Sequence, residues 1–530
     1  MFPPAIAFAL ALALAAGPAS PAQDPTPTPA PTPLAVTAPT GPVLVLTVDE
    51  AVQRALENNV DLAVEKFNPQ ASELSIGDAK AAYDPTLFSN WSFASRTTES
   101  SNAFAGASKV DNKTITYNFG ASKLLQTGGS LRADFTNNRG TTNSVFNSFN
   151  PSFNSGFQLS FNQPLLKNRK LDPARLNLRL TKRNREISDL QFRTAVVTTL
   201  ANVRKLYYDL IYANENLGAQ RKSLALAQKF LNENQIKVKV GTLAPLDVVA
   251  AESEVATREE GVVIAENSLA EAQDAIKRVI FPKNDPEAWK TEIVAKDRPT
   301  ADPVVADADA AITNALARRL DFAIAKKNFE TLENQLELAK QGVKPALDLA
   351  ANYGTTGTGG TQITRSGLGG PIINTVPGGY GDALKDIVSL DFPTWSVGVN
   401  FTYPIKNRTA RNAEARAQIG YDQYSTIMRR LELQIASDVR TAARAVETNF
   451  KRVATTRSAR TLQARRLDAE EKKFAAGMST NFLVTQAQRD LALSEVAELR
   501  AISDYNKSLV DFERVQESGL GGGGGTVTLR

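Results

Sequence analysis

The chain has neither a cysteine nor a histidine in its 530 residues. That removes disulfides, thiolate and imidazole metal sites, Ser-His-Asp triads and Cys-His dyads, leaving only carboxylate, lysine or tyrosine chemistry. A lipid-anchored mature N-terminus, which needs a cysteine, is excluded with them. Aromatic residues are scarce at 7%, and the Ala/Glu/Arg/Leu-rich stretches suit elongated helices better than one thick core. After the N-terminus no segment offers about 18 consecutive apolar residues, so no helix is expected to span a bilayer. A dominant charge is missing too: 61 Lys and Arg face 56 Asp and Glu, for a net charge of +5. The signs alternate along the helices, unlike the clustered basic stripe of a nucleic-acid binder, so no nucleic-acid partner is expected. The carboxylates recur at helix-surface spacing and no isolated acidic pair stands in a glycine-rich loop. No catalytic residue, metal site or cofactor is expected.

What is present begins with a short apolar run in residues 1–22, ending at the small-x-small site Ser20-Pro21-Ala22. It reads as a cleaved signal peptide, although its first residues carry no Lys or Arg. Residues 23–46 form a Pro/Thr-rich leader expected to be extended, and residues 517–530 a glycine-rich flexible tail.

Between leader and tail the chain repeats itself, as residues 47–300 and 301–516. "DEAVQRALENNVDLAVEK" (49–66) aligns without a gap with "DAAITNALARRLDFAIAK" (309–326), and Pro85-Thr86-Leu87 then falls on Pro345-Ala346-Leu347. "FNQPLLKN" (161–168) echoes "FTYPIKN" (401–407), and "GTLAPLDVVAAESEVA" (241–256) echoes "GMSTNFLVTQAQRDLA" (477–492). The order in each half is helices, strands, a Pro-marked re-entry, a long helix, a tip and a returning helix.

Strands are expected at about 85–165 and 346–404. In "TLFSNWSFA", Leu87, Trp91 and Phe93 are all odd-numbered; Ile115, Tyr117, Phe119 and Ala121 oppose Thr114, Thr116 and Asn118. Leu131, Ala133 and Phe135, then Phe157, Leu159 and Phe161, and finally Trp395, Val397, Val399, Phe401 and Tyr403 continue the alternation. A membrane barrel and a soluble sheet both give this pattern. The barrel is favoured because the strands lie between very long helices that offer no second sheet. Asp172-Pro173 opens a helix that meets no further proline before Gly241, a rod on the order of 100 Å. Gly241 and Gly477 are expected in the left-handed end position of such helices. Pro245 and Thr480 suit the restart, whereas Ala244 is a poor cap.

Together, "LTVDEAVQRALENNVDLAVEK", "AAYDPTL", "FNQPLL" and the two tip segments resemble the TolC-like outer-membrane factor family over nearly the whole mature chain. The resemblance implies a mixed α and β fold: a homotrimer with one shared outer-membrane β-barrel continuous with a long periplasmic α-helical barrel. It implies a passive exit duct in a tripartite efflux or type I secretion system, partnered by a periplasmic adaptor and an inner-membrane pump. Docking residues would be Gly241, Thr242, Leu243, Gly477, Met478 and Ser479, and the aperture would be lined by Asp247, Leu483 and Gln486. Relatives ring that aperture with acidic residues; here Leu483 and Gln486 stand instead, so a neutral, apolar closure is expected and cation chelation is not. Thr127-Gly128-Gly129 predicts an extra hairpin, giving four strands in the first half where the family plan has two. The barrel is then wider than twelve strands, or the hairpin lies outside it. The glycine-rich 354–382 is expected to be a long extracellular loop, since it lacks the Lys-Ser/Thr ending of a phosphate loop. Arg175, Arg179, Lys182, Arg408 and Arg411 cluster where the long helices start, against the helix dipole. They are expected to contact outer-membrane lipid phosphates, or else to form a solvated face. A coiled-coil or adhesin-like surface protein is the alternative; sustained heptads and no barrel strands would support it.

Overall fold

The computed structural model describes residues 42–100, 108–281, 286–367 and 370–517. The signal peptide, most of the leader and nearly all of the tail fall outside the described residues. The last leader residues are not merely extended: Val43–Leu46 form strand β1, which pairs in parallel with β6 (Glu292–Ala295).

Helix α1 (Val48–Asn58) starts on a capping box, in which Thr47 Oγ1 accepts from the Glu50 N–H and the Glu50 carboxylate accepts from the Thr47 N–H. Helices α2 (Val60–Glu65) and α3 (Phe67–Ala81) follow, then strands β2 (Thr86–Glu99), β3 (Lys109–Leu124), β4 (Ser130–Thr142) and β5 (Phe149–Pro164). Asp172 caps α4 (Pro173–Lys239), whose 67 residues make a rod of about 100 Å. The chain returns through α5 (Pro245–Ile280), the short α6 (Pro286–Lys290) and β6.

The second half reads α7 (Ala308–Arg318), α8 (Leu320–Val343), β7 (Ala346–Arg365), β8 (Ile372–Val376), α9 (Tyr380–Ser389) and β9 (Pro393–Thr402). It closes with α10 (Arg408–Ala475) and α11 (Asn481–Gln516). The long helices pack on one another through separate apolar clusters rather than one core. Leu46, Val203, Tyr207, Ile276 and Ile280 form one beneath α1; Val446, Val453, Ala501 and Tyr505 form another between α10 and α11. Tyr207 is wholly buried, its hydroxyl 2.9 Å from both the Leu46 carbonyl and Asp297 Oδ2, and burial holds that hydroxyl well above the usual phenol range.

The seven large strands form one antiparallel sheet in the order β2-β3-β4-β5-β7-β8, with β9 also on β7. β9 pairs with the first half of β7, from Ala346↔Thr402 to Thr355↔Pro393, and β8 with its last residues, so the two share one edge. The Thr127-Gly128-Gly129 turn, with Gly128 at φ +85°, joins β3 to β4 inside this sheet, which places the extra hairpin within the sheet rather than beside it. The glycine-rich stretch expected to be a loop is corrected: Gly354–Gly360 are interior to β7, and Tyr380–Ser389 are helical. The glycines are there because α9 lies on them. A Cβ at Gly357 would stand 2.0 Å from the Ala383 carbonyl oxygen, and one at Gly359 would stand 2.2 Å from that of Gly379.

Candidate functional site

The two tips are built by the same local chemistry. At the first, the Gly241 N–H donates to Val238 O (3.0 Å) and the Thr242 N–H to Lys237 O (2.9 Å). At the second, Gly477 donates to Phe474 O (3.1 Å) and Met478 to Lys473 O (2.9 Å). Both are Schellman closures, and they require a residue with positive φ: Gly241 has +81° and Gly477 +74°. Thr480 caps α11, while Ala244 makes no side-chain cap and leaves the start of α5 to Pro245.

The fold brings the tips together. Asn481, buried at the start of α11, donates to the Asp247 carbonyl (2.9 Å) and accepts from the fully buried Asn234 (2.9 Å). Phe230, Leu467, Val484 and Ala487 pack beneath them, and the Lys237 ammonium sits 3.9 Å from the Phe474 ring centre. About two turns further in, the Glu254 carboxylate, 4% exposed, pairs with Arg258 on its own helix and Arg489 on α11. Burial works to raise that carboxyl, but the Arg489 and Arg258 bonds outweigh it and hold it below the usual range.

Of the expected tip residues, Gly241, Thr242, Gly477 and Met478 are exposed, and Leu243 and Ser479 are half-buried; Ser479 donates to Glu470 (2.7 Å). Leu483 and Gln486 are exposed on α11 and Asp247 is half-buried on α5. Asn234, Asn481, Glu254 and Arg489 were not singled out from sequence, because single polar residues on Ala-rich helices look like surface until the partner helix is known. The exposed apolar side chains Leu246, Met478 and Phe482 crown the same end.

The sheet largely separates its faces, with Phe88 beneath Arg132 on the polar side and Arg139 beside Phe153 on the apolar side as exceptions. Rows such as Trp91, Tyr117, Ser155 and Gly357 share one side, as do Leu87, Ala121, Ala133, Leu159, Tyr353 and Trp395. Leu87, Trp91, Phe93, Trp395, Val397, Val399 and Phe401 stand exposed on that side, while Asn90, Asn118, Arg132, Asp134, Asn352 and Asn400 occupy the other. No described helix is long and apolar enough to cross a membrane. The basic cluster divides. Arg175 is bound to Asp172 Oδ2 (2.5 Å) and the Asn168 carbonyl (2.6 Å), and Arg179 reaches Asn334 and Glu337 on α8. Both thus have partners within the fold, and the Asp172 carboxylate at the cap offsets the dipole that made these cations look misplaced. Lys182, Arg408 and Arg411 are exposed.

This arrangement can be compared with known proteins. The outer membrane efflux protein family matches residues 51–280 and 311–515, most of the chain. The chain belongs to the outer membrane efflux protein family. It is 21% identical over 330 residues to outer membrane protein TolC of Vibrio cholerae, covering 62% of this chain and 69% of that one. With outer membrane protein TolC of Escherichia coli it shares 23%, covering 59% of this chain and 60% of the relative. Among solved structures, the outer-membrane channel OprN aligns over 89% of this chain and 90% of its own, at TM-score 0.64 and 14% identity. The Campylobacter jejuni CmeC outer membrane channel aligns over 88% and 85%, at 0.60 and 16%. At such identities these structures speak for the fold of this efflux-family chain. That fold contains a seven-stranded sheet, which a scaffold built of coiled coil alone would lack.

Proposed function

We propose that the protein is the outer-membrane exit duct of a tripartite efflux or type I secretion system, conducting substrates passively from a periplasmic adaptor and inner-membrane pump. One observation carries this reading. The sheet has an exposed apolar face and a polar opposite face, and rods of about 100 Å leave one end of it. The apolar face meets lipid, the polar face a wet lumen, and the rods cross the periplasm. Leu246, Met478 and Phe482 beside the glycine tips offer an apolar surface for the adaptor together with Thr242, Leu243 and Ser479. Leu483 and Gln486 narrow the aperture without a carboxylate ring, and Lys182, Arg408 and Arg411 face inner-leaflet phosphates.

The duct is a homotrimer. β2 and β9 are the sheet's open edges and run in opposite directions, so β9 of one copy continues antiparallel into β2 of the next. Six strand positions per copy, β2, β3, β4, β5, β7 and β9, give an eighteen-stranded ring in three copies, wide enough for an aqueous channel. The match of the family in two separate stretches supports the internal repeat. The repeat in turn supplies the register: β5 corresponds to β9 and β7 to β2, so the β5–β7 seam is the template for the seam between copies. Phe161↔Ala351 and Asn162↔Ala350 become Phe401↔Trp91 and Thr402↔Asn90.

Planar-bilayer recording of the detergent-extracted protein, native against Leu483→Ala plus Gln486→Ala, tests the function. Discrete conductance that rises in the variant is expected. No conductance from either, in a protein soluble without detergent, would refute the duct.

A further inference from the structure

We propose that α9 is an interfacial helix lying on the outside of the barrel, at the outer-leaflet boundary between headgroups and acyl chains. The proposal rests on the sheet's apolar face being its lipid face, as argued above.

Three observations point there. First, α9 packs on that same face: it covers Gly357 and Gly359, and the Tyr380 ring lies 5.6 Å from Tyr117 and 6.1 Å from Phe153. It is therefore not a plug, which would have to sit on the polar side. Second, the surface beneath it is unfit for lipid. Where the rows above Leu159 and Tyr353 should stay apolar, the chain has Asn137, Ser155, Thr355 and the two glycines, all of the polar ones buried to 4% exposure or less. Asn137 Oδ1 accepts from the Tyr380 hydroxyl (2.8 Å), so one of these groups is satisfied by the helix that hides it. Hydroxyls and an amide are unfit neighbours for hydrocarbon; α9 covers all three and satisfies the amide, while Ser155 Oγ and Thr355 Oγ1 stay buried beneath it without a hydrogen-bond partner.

Third, the helix is amphipathic in the sense an interface requires. Tyr380, Ala383 and Asp386 lie against the sheet, Asp386 accepting from the Thr358 N–H (3.2 Å), and Asp382 caps the helix by accepting from the Gly379 N–H (2.7 Å), while Lys385 and Ser389 are exposed. On its flank and exit, Val388, Leu390 and Phe392 are exposed, and they run directly into Trp395, Val397 and Val399 of β9. On β7 the outward apolar residues span Leu347 to Tyr353, roughly 20–25 Å of strand before tilt, and α9 begins just above them. With strands tilted by about 40° that run rises only about 15–19 Å, so the top of a roughly 25 Å apolar band falls at the level of α9. The ligand of this surface is the lipid itself: acyl chains against Val388, Leu390 and Phe392, headgroups against Lys385 and Ser389.

Because the chain has no cysteine, single nitroxide labels at Val388→Cys, Lys385→Cys and Val397→Cys report cleanly. Collision with oxygen and with a water-soluble nickel complex is measured in phosphatidylcholine/phosphatidylglycerol vesicles. Oxygen should dominate at 397 and, less strongly, at 388; nickel should dominate at 385. Nickel dominance at 388 with oxygen dominance at 397 would put α9 in water and overturn the proposal, as would oxygen dominance at 385, which would sink the helix in hydrocarbon. Nickel dominance at 397 would instead overturn the duct reading on which it rests. In a Gly357→Ala background the added Cβ displaces α9, so the label at 388 should lose its oxygen preference and gain mobility. An unchanged spectrum there would refute the close packing.

Discussion

The seam between copies offers the sharpest test of the assembly, because the internal repeat assigns it a register rather than a mere adjacency. In the β5–β7 pair, Asn162 lies opposite Ala350. Carried by the repeat, the same geometry sets Thr402 of one copy opposite Asn90 of the next, on the polar face where neither side chain holds lipid. Directly opposed Cβ atoms in an antiparallel pair stand about 4.5–5.5 Å apart, near the separation a disulfide closes with little movement. A seam that merely levelled the apolar rows, without the stagger of a tilted barrel, would set Thr402 opposite Thr86. The two alternatives differ by four residues, ~13 Å along the strand, far beyond what a disulfide tolerates. The stagger is visible within the chain: outward apolar residues occupy Leu347–Tyr353 on β7 but lie opposite Tyr353–Gly359 by the time the sheet reaches Leu87–Phe93 on β2. The assay is non-reducing electrophoresis of membranes carrying Asn90→Cys plus Thr402→Cys, Thr86→Cys plus Thr402→Cys, and the in-chain control Asn162→Cys plus Ala350→Cys. Covalent dimers and trimers are expected from the first pair alone. If the second pair cross-links and the first does not, the repeat is no guide to the seam. If neither does while the control closes and the protein conducts, the strand edges meet otherwise and the duct survives.

Further outcomes follow from the tips and the helical region. Gly477→Val forces a β-branched residue into φ +74° and should destabilise the second tip by about 1–2 kcal/mol, seen as faster proteolysis there than in Gly218→Ala, whose site is open and helical. Glu254→Gln leaves Arg258 and Arg489 without their carboxylate and should lower Tm and raise single-channel conductance at pH 7. Since the native carboxyl is held low, its contribution is present above the unfolded pKa and lost as pH falls through the folded value, so wild type and variant should converge on acidification. Glu517, half-buried and accepting from the Leu320 N–H (2.9 Å), has its carboxyl pushed up to about 7 by desolvation. A raised carboxyl destabilises the fold as pH rises from the unfolded value through 7, so Glu517→Gln should raise Tm at pH 8 and leave it unchanged at pH 4. Replacing Lys182, Arg408 and Arg411 together by Gln should weaken sedimentation with anionic vesicles while leaving that with neutral vesicles unaltered, which a purely solvated face would not do.

Much of the molecule was decided by local sequence. Period-two alternation alone assigned the two faces of β2–β5 and β9, because a strand's side chains have nowhere else to point. Gly241 and Gly477 announced the tips, since few other residues take positive φ without strain, and the proline-free run after Pro173 announced the rod. Tertiary structure decided what depends on which element lies beside which. Gly354–Gly360 read as loop because a strand that lacks side chains carries no alternation, and only α9 lying upon it explains the lack. That Asp172, Asn334 and Glu337 stand within reach of Arg175 and Arg179 is equally hidden from a charge count. Asn234, Asn481, Glu254 and Arg489 meet across more than 200 residues of chain. No window of sequence could join them: short-range pattern fixes each element's face, whereas the partners of polar groups are fixed only when those faces pack.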